Sequence, residues 1–424
     1  MRIFWLLGLI WCLGVNLKAQ GHPPEQITID QAVNEALEKN LGLLAERYNV
    51  SIAEARTITA RLRPNPVLSL GADYQDWLGA GFLPNINLGP SEVNFRTDFV
   101  LERGGKRQSR MAVAEASRSV AQLQLLNSTR TLVLEVQEAC VEGLQAKANL
   151  ALAEENLKAF NEIVEVNTAR VNAGDLAQVE LVRSRVAALQ YQNAVLQSEL
   201  RLRVARNRLQ SLLGRSTFSG NFDVVGELRR DGQPVSLEDL RRQAFELRPD
   251  LQALIRDQAR SLADLRLQIA QGKIDFTVGA QLHRQYGSAL SFPGNSVGFF
   301  FSAPLPVFNR NQGEIERVRQ EQRQIETRIK ALQTDIRNEV ENAHLQYMTA
   351  SNLLRRIEKD MLQQARDVRQ TTEYSYRRGE ASFVELLDAQ RAFNDTMQSY
   401  NEARAEYARS LYLIDSISGK AVNP

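Results

Sequence analysis

The strongest restriction on this chain is that it says the same thing twice. Arg170-Val-Asn-Ala-Gly174-Asp-Leu-Ala-Gln-Val179-Glu180-Leu181 is answered by Ser375-Tyr-Arg-Arg-Gly379-Glu-Ala-Ser-Phe-Val384-Glu385-Leu386. Working outward from the glycines, Asn40-Leu41 finds Asp250-Leu251, and Leu213-Gly214 finds Ser418-Gly419. The chain is an internal duplication of a unit of roughly two hundred residues.

Both units run through the same succession. Residues 28–63 carry apolar side chains at helical spacing, beginning Ile29, Ala32, Val33, Ala36 and Leu37, until Arg63-Pro-Asn-Pro66 stops the helix. From Val67 the period becomes two: Leu68, Leu70, Ala72 and Tyr74 oppose Ser69, Gly71, Asp73 and Gln75. Residues 93–101 do likewise, with Val93, Phe95, Thr97, Phe99 and Leu101 on one face. In the second unit Ile274, Phe276, Val278, Ala280 and Leu282 form one such face, and Val297, Phe299, Phe301, Ala303 and Leu305 another. These are two strand hairpins, and each strand has the roughly nine to eleven residues that cross a bilayer at a tilt. Their loops, 78–91 and 286–295, are rich in Gly, Pro, Asn and Ser.

Residues 106–171 and 313–376 contain no proline. Each run would extend about 100 Å as a continuous helix, too long for a globular domain to bury. After Gly174 the chain returns through 178–213, breaks across a glycine-rich stretch, and resumes over 237–271. Two pieces of roughly 36 residues match the descending limb. In the same way 28–63 completes the ascent begun by 381–418. The expected fold is mainly α with a small β part.

Four strands with one apolar face cannot stand alone in lipid, because open edges leave backbone groups unpaired at several kcal/mol each. One chain therefore supplies a fraction of a barrel. A trimer would close twelve strands around a channel; a dimer would close eight, plugged by side chains. The opening residues, Met1-Arg2 followed by an apolar run to Val15 and Leu17-Lys-Ala-Gln20, read as a cleavable secretory signal over 1–20. Trp11 before Cys12 argues against a lipid anchor, and Cys140, within a helical pattern, reads as a small buried hydrophobe.

With 52 basic against 50 acidic residues, nothing in the charge calls for nucleic acid. His22, His283 and His344 are scattered, and Met111, Met348, Met361 and Met397 read as gap-filling helix residues, so no metal or cofactor site is expected. Gly104-Gly105-Lys106 lacks the frame of a phosphate-binding loop, and no catalytic motif stands out, so the chain reads as a non-enzyme.

The plan of two repeats, each with a strand pair, a long helical hairpin and a glycine turn, resembles the outer-membrane efflux protein family, the TolC-like outer membrane factors. Arg63-Pro-Asn-Pro66, Phe245-Glu-Leu-Arg-Pro-Asp-Leu251 and Pro304-Leu-Pro-Val-Phe-Asn-Arg-Asn-Gln-Gly313 resemble its CzcC-like branch, associated with heavy-metal cation efflux. The resemblance implies a homotrimer in outer-membrane lipid. Its twelve-stranded barrel would continue into a periplasmic helical tube that meets a periplasmic adaptor and, through it, an inner-membrane resistance-nodulation-division pump. The chain then divides into a periplasmic helix (21–66), a barrel hairpin (67–101), a long helical hairpin with its tip near 174 (102–214) and an equatorial connector (215–236). A second periplasmic helix (237–273), barrel hairpin (274–305) and helical hairpin with its tip near 379 (306–419) follow, then a tail (420–424).

By position, Val171, Asn172, Ala173, Gly174, Asp175 and Leu176, with Arg377, Arg378, Gly379, Glu380 and Ala381, would form the adaptor-contacting tip. Glu180 and Glu385 follow the turns, and Asp388 shares a helical face with Glu385. The resemblance implies acidic rings at Glu385 and Asp388, which would favour cations at a periplasmic gate. Tyr376 would hydrogen-bond a carboxylate such as Glu180 and hold that gate shut. An exit duct for drugs or for type I protein secretion, and a periplasmic coiled-coil scaffold without a pore, are the competing readings.

Overall fold

The computed structural model describes residues 25–73, 91–218, 220, 222–230, 236–286 and 292–420. The expected signal, Cys12, Tyr74, Gln75, most of the first strand loop, half of the second, part of the connector and nearly all of the tail lie outside the described residues. In chain order come β1 (Glu25–Ile27), α1 (Ile29–Lys39), α2 (Leu41–Arg61), β2 (Val67–Asp73), β3 (Glu92–Leu101), α3 (Lys106–Asn172), α4 (Gln178–Leu212) and β4 (Phe222–Val224). The second unit continues with α5 (Leu237–Leu247), α6 (Pro249–Gln271), β5 (Phe276–Gln285), β6 (Gly294–Ser302), α7 (Gln312–Arg356), α8 (Leu362–Arg378) and α9 (Phe383–Ile417).

The two hairpins merge into one antiparallel sheet in the order β2-β3-β5-β6. Its register joins Leu70, Phe95, Leu282 and Val297 into an apolar row across all four strands. These four side chains are exposed or half-exposed, so the row covers no core of this chain. The other face is polar, with Arg96 paired to Asp98 at 2.9 Å and His283 3.5 Å from Glu92. Phe300 is an exception there, as are Val67 and Val100. The Phe300 ring lies under the Arg96 guanidinium, 3.7 Å from ring centre to guanidinium, and fills the space that Gly279 leaves empty. Strand β6 ends at Ser302 rather than at Leu305, because Pro304 has no N–H to continue a ladder.

A latch ties the sheet to the helices. Lys106, at the first turn of α3, is buried; its ammonium lies 2.6 Å from Asp275 and donates to the Lys273 carbonyl at 2.8 Å. The glycines before it are structural, since Gly104 has a φ of +70° and a Cβ there would strike Lys273.

The helices of 28–63 and 237–271 are each broken near their first third. Asn40 caps α2 by accepting from the Leu43 N–H at 2.9 Å and donates to the Leu212 carbonyl at 2.8 Å. Gly214 and Gly419 fit against these breaks, where side chains would collide with Lys39 and Leu247 respectively. That geometry makes Arg248 the counterpart of Asn40 and Leu251 that of Leu43, two residues away from the Asn40–Asp250 match suggested by sequence. Arg248 is buried between Asp250, at 2.5 Å, and Glu339, with Arg130 of α3 3.8 Å from Asp250. Such a network is strongly destabilised by removing one partner.

Around these joints lie matching cores. One gathers Ile27, Ala36, Leu43, Val136, Cys140, Leu209 and Phe222; the other Leu240, Leu251, Ile336, Val340, Leu411 and Ile414. Burial pushes the Cys140 thiol up to about 12, consistent with a packing role. β1 and β4 pair in parallel at the first core, an element too short for the alternation pattern to reveal. The descending limb α3 is one uninterrupted helix, but the limb of 313–376 is not. Between α7 and α8 the residues Ile357–Met361 form a π-helical turn, closed by the Leu362 N–H donating to the carbonyl of Ile357.

Candidate functional site

Each long limb ends in the same backbone closure. Gly174, at φ +83°, donates to the Val171 carbonyl at 3.0 Å while the Asp175 N–H reaches Arg170 at 2.9 Å. Gly379, at φ +81°, donates to Tyr376 at 3.0 Å while the Glu380 N–H reaches Ser375 at 2.9 Å. A left-handed residue closing the last helical turn this way is where glycine has its advantage. The two turns are neighbours, for a Cβ on Gly379 would stand 3.3 Å from the Arg170 guanidinium. Asn172, Ala173, Gly174, Asp175, Arg377, Arg378, Gly379 and Glu380 are exposed on this shared end, with Val171, Leu176 and Ala381 half-buried behind them.

The glutamates after the turns are the third residues of α4 and α9, and their surroundings differ. Ser382 accepts from the Glu385 N–H while the Glu385 carboxylate accepts the Ser382 N–H at 2.7 Å, a reciprocal cap. The Ser382 backbone and hydroxyl hold the exposed Glu385 carboxyl below the usual glutamate range. Asp388 is exposed one turn further along α9. In the first unit Ala177 stands where Ser382 does, so Glu180 has no cap to complete. It pairs with Arg183 at 2.8 Å, and its second oxygen is buried without a protein partner.

Tyr376 does not bond Glu180. Its hydroxyl donates to Asn167 Oδ1 at 2.7 Å, and both side chains are buried. This joins α3 of the first unit to α8 of the second inside a small apolar cluster of Phe160, Ile163, Ala187, Phe383 and Leu386. Phe160 stacks on Tyr191 at 4.4 Å, and Arg170 Nη1 reaches the Tyr376 carbonyl at 3.4 Å. Burial raises the Tyr376 phenol above its ordinary value, opposed by the Asn167 bond. The tyrosine therefore stays a neutral donor at physiological pH.

Above the tip the seam between α3 and α9 is held by amides. Gln390 and Asn394 bracket Asn156 with hydrogen bonds of 2.8 Å each, and Asn401 donates to Asn149 at 2.9 Å. Sequence reasoning passed over these residues. Their signal was available, since Asn149 and Asn156 lie seven residues apart, as do Asn394 and Asn401.

The family model for outer membrane efflux proteins matches residues 32–215 and 240–420, nearly all of both repeats. The chain belongs to that family. Nodulation protein T of Rhizobium leguminosarum bv. trifolii is 21% identical over 410 residues, covering 92% of this chain and 85% of that protein. The cobalt-zinc-cadmium resistance protein CzcC of Cupriavidus metallidurans (strain ATCC 43123 / DSM 2839 / NBRC 102507 / CH34) is 21% identical over 401 residues, covering 93% and 90%. Among solved structures, the outer-membrane channel OprN superposes with a TM-score of 0.75 at 19% identity, covering 93% of this chain and 91% of that one. The efflux-channel fold of this chain is thus TolC-like, mainly helical with a small sheet. Among the described residues of this family member no helix is long and apolar enough to cross a membrane. No group of three His, Cys, Asp or Glu among them is placed to hold a metal ion.

Proposed function

We propose that this efflux-family protein is the outer-membrane exit duct of a tripartite system, working as a homotrimer. The observation that carries the reading is the four-stranded sheet, with an apolar row on one face, a largely polar opposite face and outer edges on β2 and β6 that pair with no other strand among the described residues. Three copies joined edge to edge would make a closed twelve-stranded barrel with its apolar face to lipid. The strand loops then face the exterior, and the tips at Gly174 and Gly379 lie about 100 Å away in the periplasm. There the tip residues would meet a periplasmic adaptor that passes substrate from an inner-membrane resistance-nodulation-division pump. Glu385 and Asp388, repeated threefold, would make the mouth prefer cations.

Heavy-metal cations are the proposed cargo, following the relationship to the cobalt-zinc-cadmium resistance protein. Mass measurement in detergent should give a trimer, and the protein should fractionate with the outer membrane. A stable detergent-solubilised monomer would remove the barrel, and release with the soluble periplasm would favour a scaffold. Deleting the gene should sensitise cells to cobalt, zinc or cadmium; sensitivity to drugs alone would reassign the cargo.

A further inference from the structure

We propose that the π-helical turn at Ile357–Met361 is the pivot about which the lower part of the second hairpin moves against α3, with the Tyr376–Asn167 hydrogen bond as its catch. This rests on the gate reading above and adds the mechanical element.

Three observations locate the pivot. The turn contains no proline or glycine, yet the Leu362 N–H bonds five residues back to Ile357, so the helical ladder is locally re-paired. A π-turn within a long helix concentrates bending there. The turn is also anchored. Ile357 is buried in the second core, and the Glu358 carboxylate is held by Arg230 of the connector and by the Tyr400 hydroxyl at 3.2 Å.

Below the anchor, support within the chain thins out. α7 ends with Ala350 and Leu354 buried, whereas α8 buries Tyr376 alone among its 17 residues. Half-buried Leu362 and Ala365 lie along α9, but the remaining ties to α3 are ionic: Arg369 lies 3.3 Å from Glu155, and over the Phe393 ring of α9, and Arg377 lies 3.7 Å from Glu162. Along the same stretch α9 meets α3 through the Gln390, Asn394 and Asn156 amides, contacts that water can take over once the seam parts. The arm is fixed at the top, caught at the bottom and exchangeable between. A tilt of about 10° at the pivot would move a point halfway down α8 by roughly 3 Å.

Distances between spin labels within one chain test this in the intact protein, diluted with unlabelled copies so that only intrachain pairs report. The buried Cys140 thiol does not compete for the label. One pair, Glu165→Cys with Gln370→Cys, spans α3 and α8 below the turn; the other, Thr131→Cys with Asn338→Cys, spans α3 and α7 above it, all at exposed positions. Tyr376→Phe should add a population longer by a few ångström to the lower pair and leave the upper pair unchanged. Glu358→Gln, which loosens the anchor, should broaden the lower pair with Tyr376 intact. Equal movement of both pairs would place the pivot elsewhere, and an unmoved lower pair in both variants would overturn the proposal. If Tyr376→Phe raises conductance while neither pair moves, the catch survives and the pivot fails. If the lower pair moves with no change in conductance, the pivot survives and the gate reading fails.

Discussion

Approaching its turn, α3 buries Leu152, Ala153, Asn156, Phe160, Ile163 and Asn167, whereas α8 buries only Tyr376. Both limbs come from one ancestral unit and end in the same glycine closure, so their turns explain none of this difference. The difference lies in what stands behind each limb. α3 is the middle helix, flanked by α4 and α9, and both hairpins pack their apolar stripes on it. α8 has α9 as its principal neighbour, and the π-turn separates it from the core that holds α7. The duplication preserved chain path, and packing within a single chain then made one copy a fixed wall and the other an arm held at points.

The largest expected contrast tests that division directly. Phe160→Ala removes a ring with 0% exposure and should destabilise by about 3–5 kcal/mol. Val368→Ala on the exposed side of α8 should stay within about 0.5 kcal/mol. Comparable losses of thermal unfolding midpoint in the two variants would mean that α8 is as firmly packed as α3, and the comparison would collapse.

Next in size is the catch. Tyr376→Phe keeps the ring but strips Asn167 Oδ1 of its donor, in a side chain whose Nδ2 is already without a protein partner. A loss of about 1–3 kcal/mol is expected. Resting conductance in a planar bilayer should rise; a closed channel with normal resting current would leave Tyr376 as packing only.

The two helix starts sharpen the comparison further, because they differ at one capping position. Ser382→Ala should cost about 0.5–2 kcal/mol by opening the reciprocal cap with Glu385. Ala177→Ser should move the other way by a similar or smaller amount, giving Glu180 the serine it lacks. Unfolding midpoints of the two variants check both signs, and a destabilising Ala177→Ser would show that the Arg183 pair already holds Glu180 in place.

The smallest effect concerns charge. Because Glu385 caps α9, alanine there would remove a cap together with a charge, so Glu385→Gln with Asp388→Asn isolates the electrostatics. Cation preference, read from reversal potentials, should fall in that double variant. Ser382 lowers the Glu385 pKa, so its charge is lost at a lower pH than an ordinary glutamate's. Ser382→Ala should therefore shift the loss of cation preference to higher pH. An unchanged permeability ratio in the Gln/Asn variant would move the search for the selective ring to Glu180.

Local and periodic features were open to sequence reading because their causes are local. Gly174 and Gly379 announce left-handed closures, the alternation at Leu68–Ala72 and Val93–Leu101 announces pleated strands, and proline-free runs announce long helices. Ser382 and Glu385, three residues apart, spell their own cap. The tertiary structure decided which side chains meet. Tyr376 finds Asn167, 209 positions away, in place of Glu180, because α3 and α8 both pack against α9 and that sets the distance between them. It also decided the two-residue shift that pairs Arg248 with Asn40, since Gly214 and Gly419 register against the breaks in space. The π-turn, written in ordinary helix formers, arises where the second limb passes from the packed core to the tip, and no nearest-neighbour preference encodes that demand.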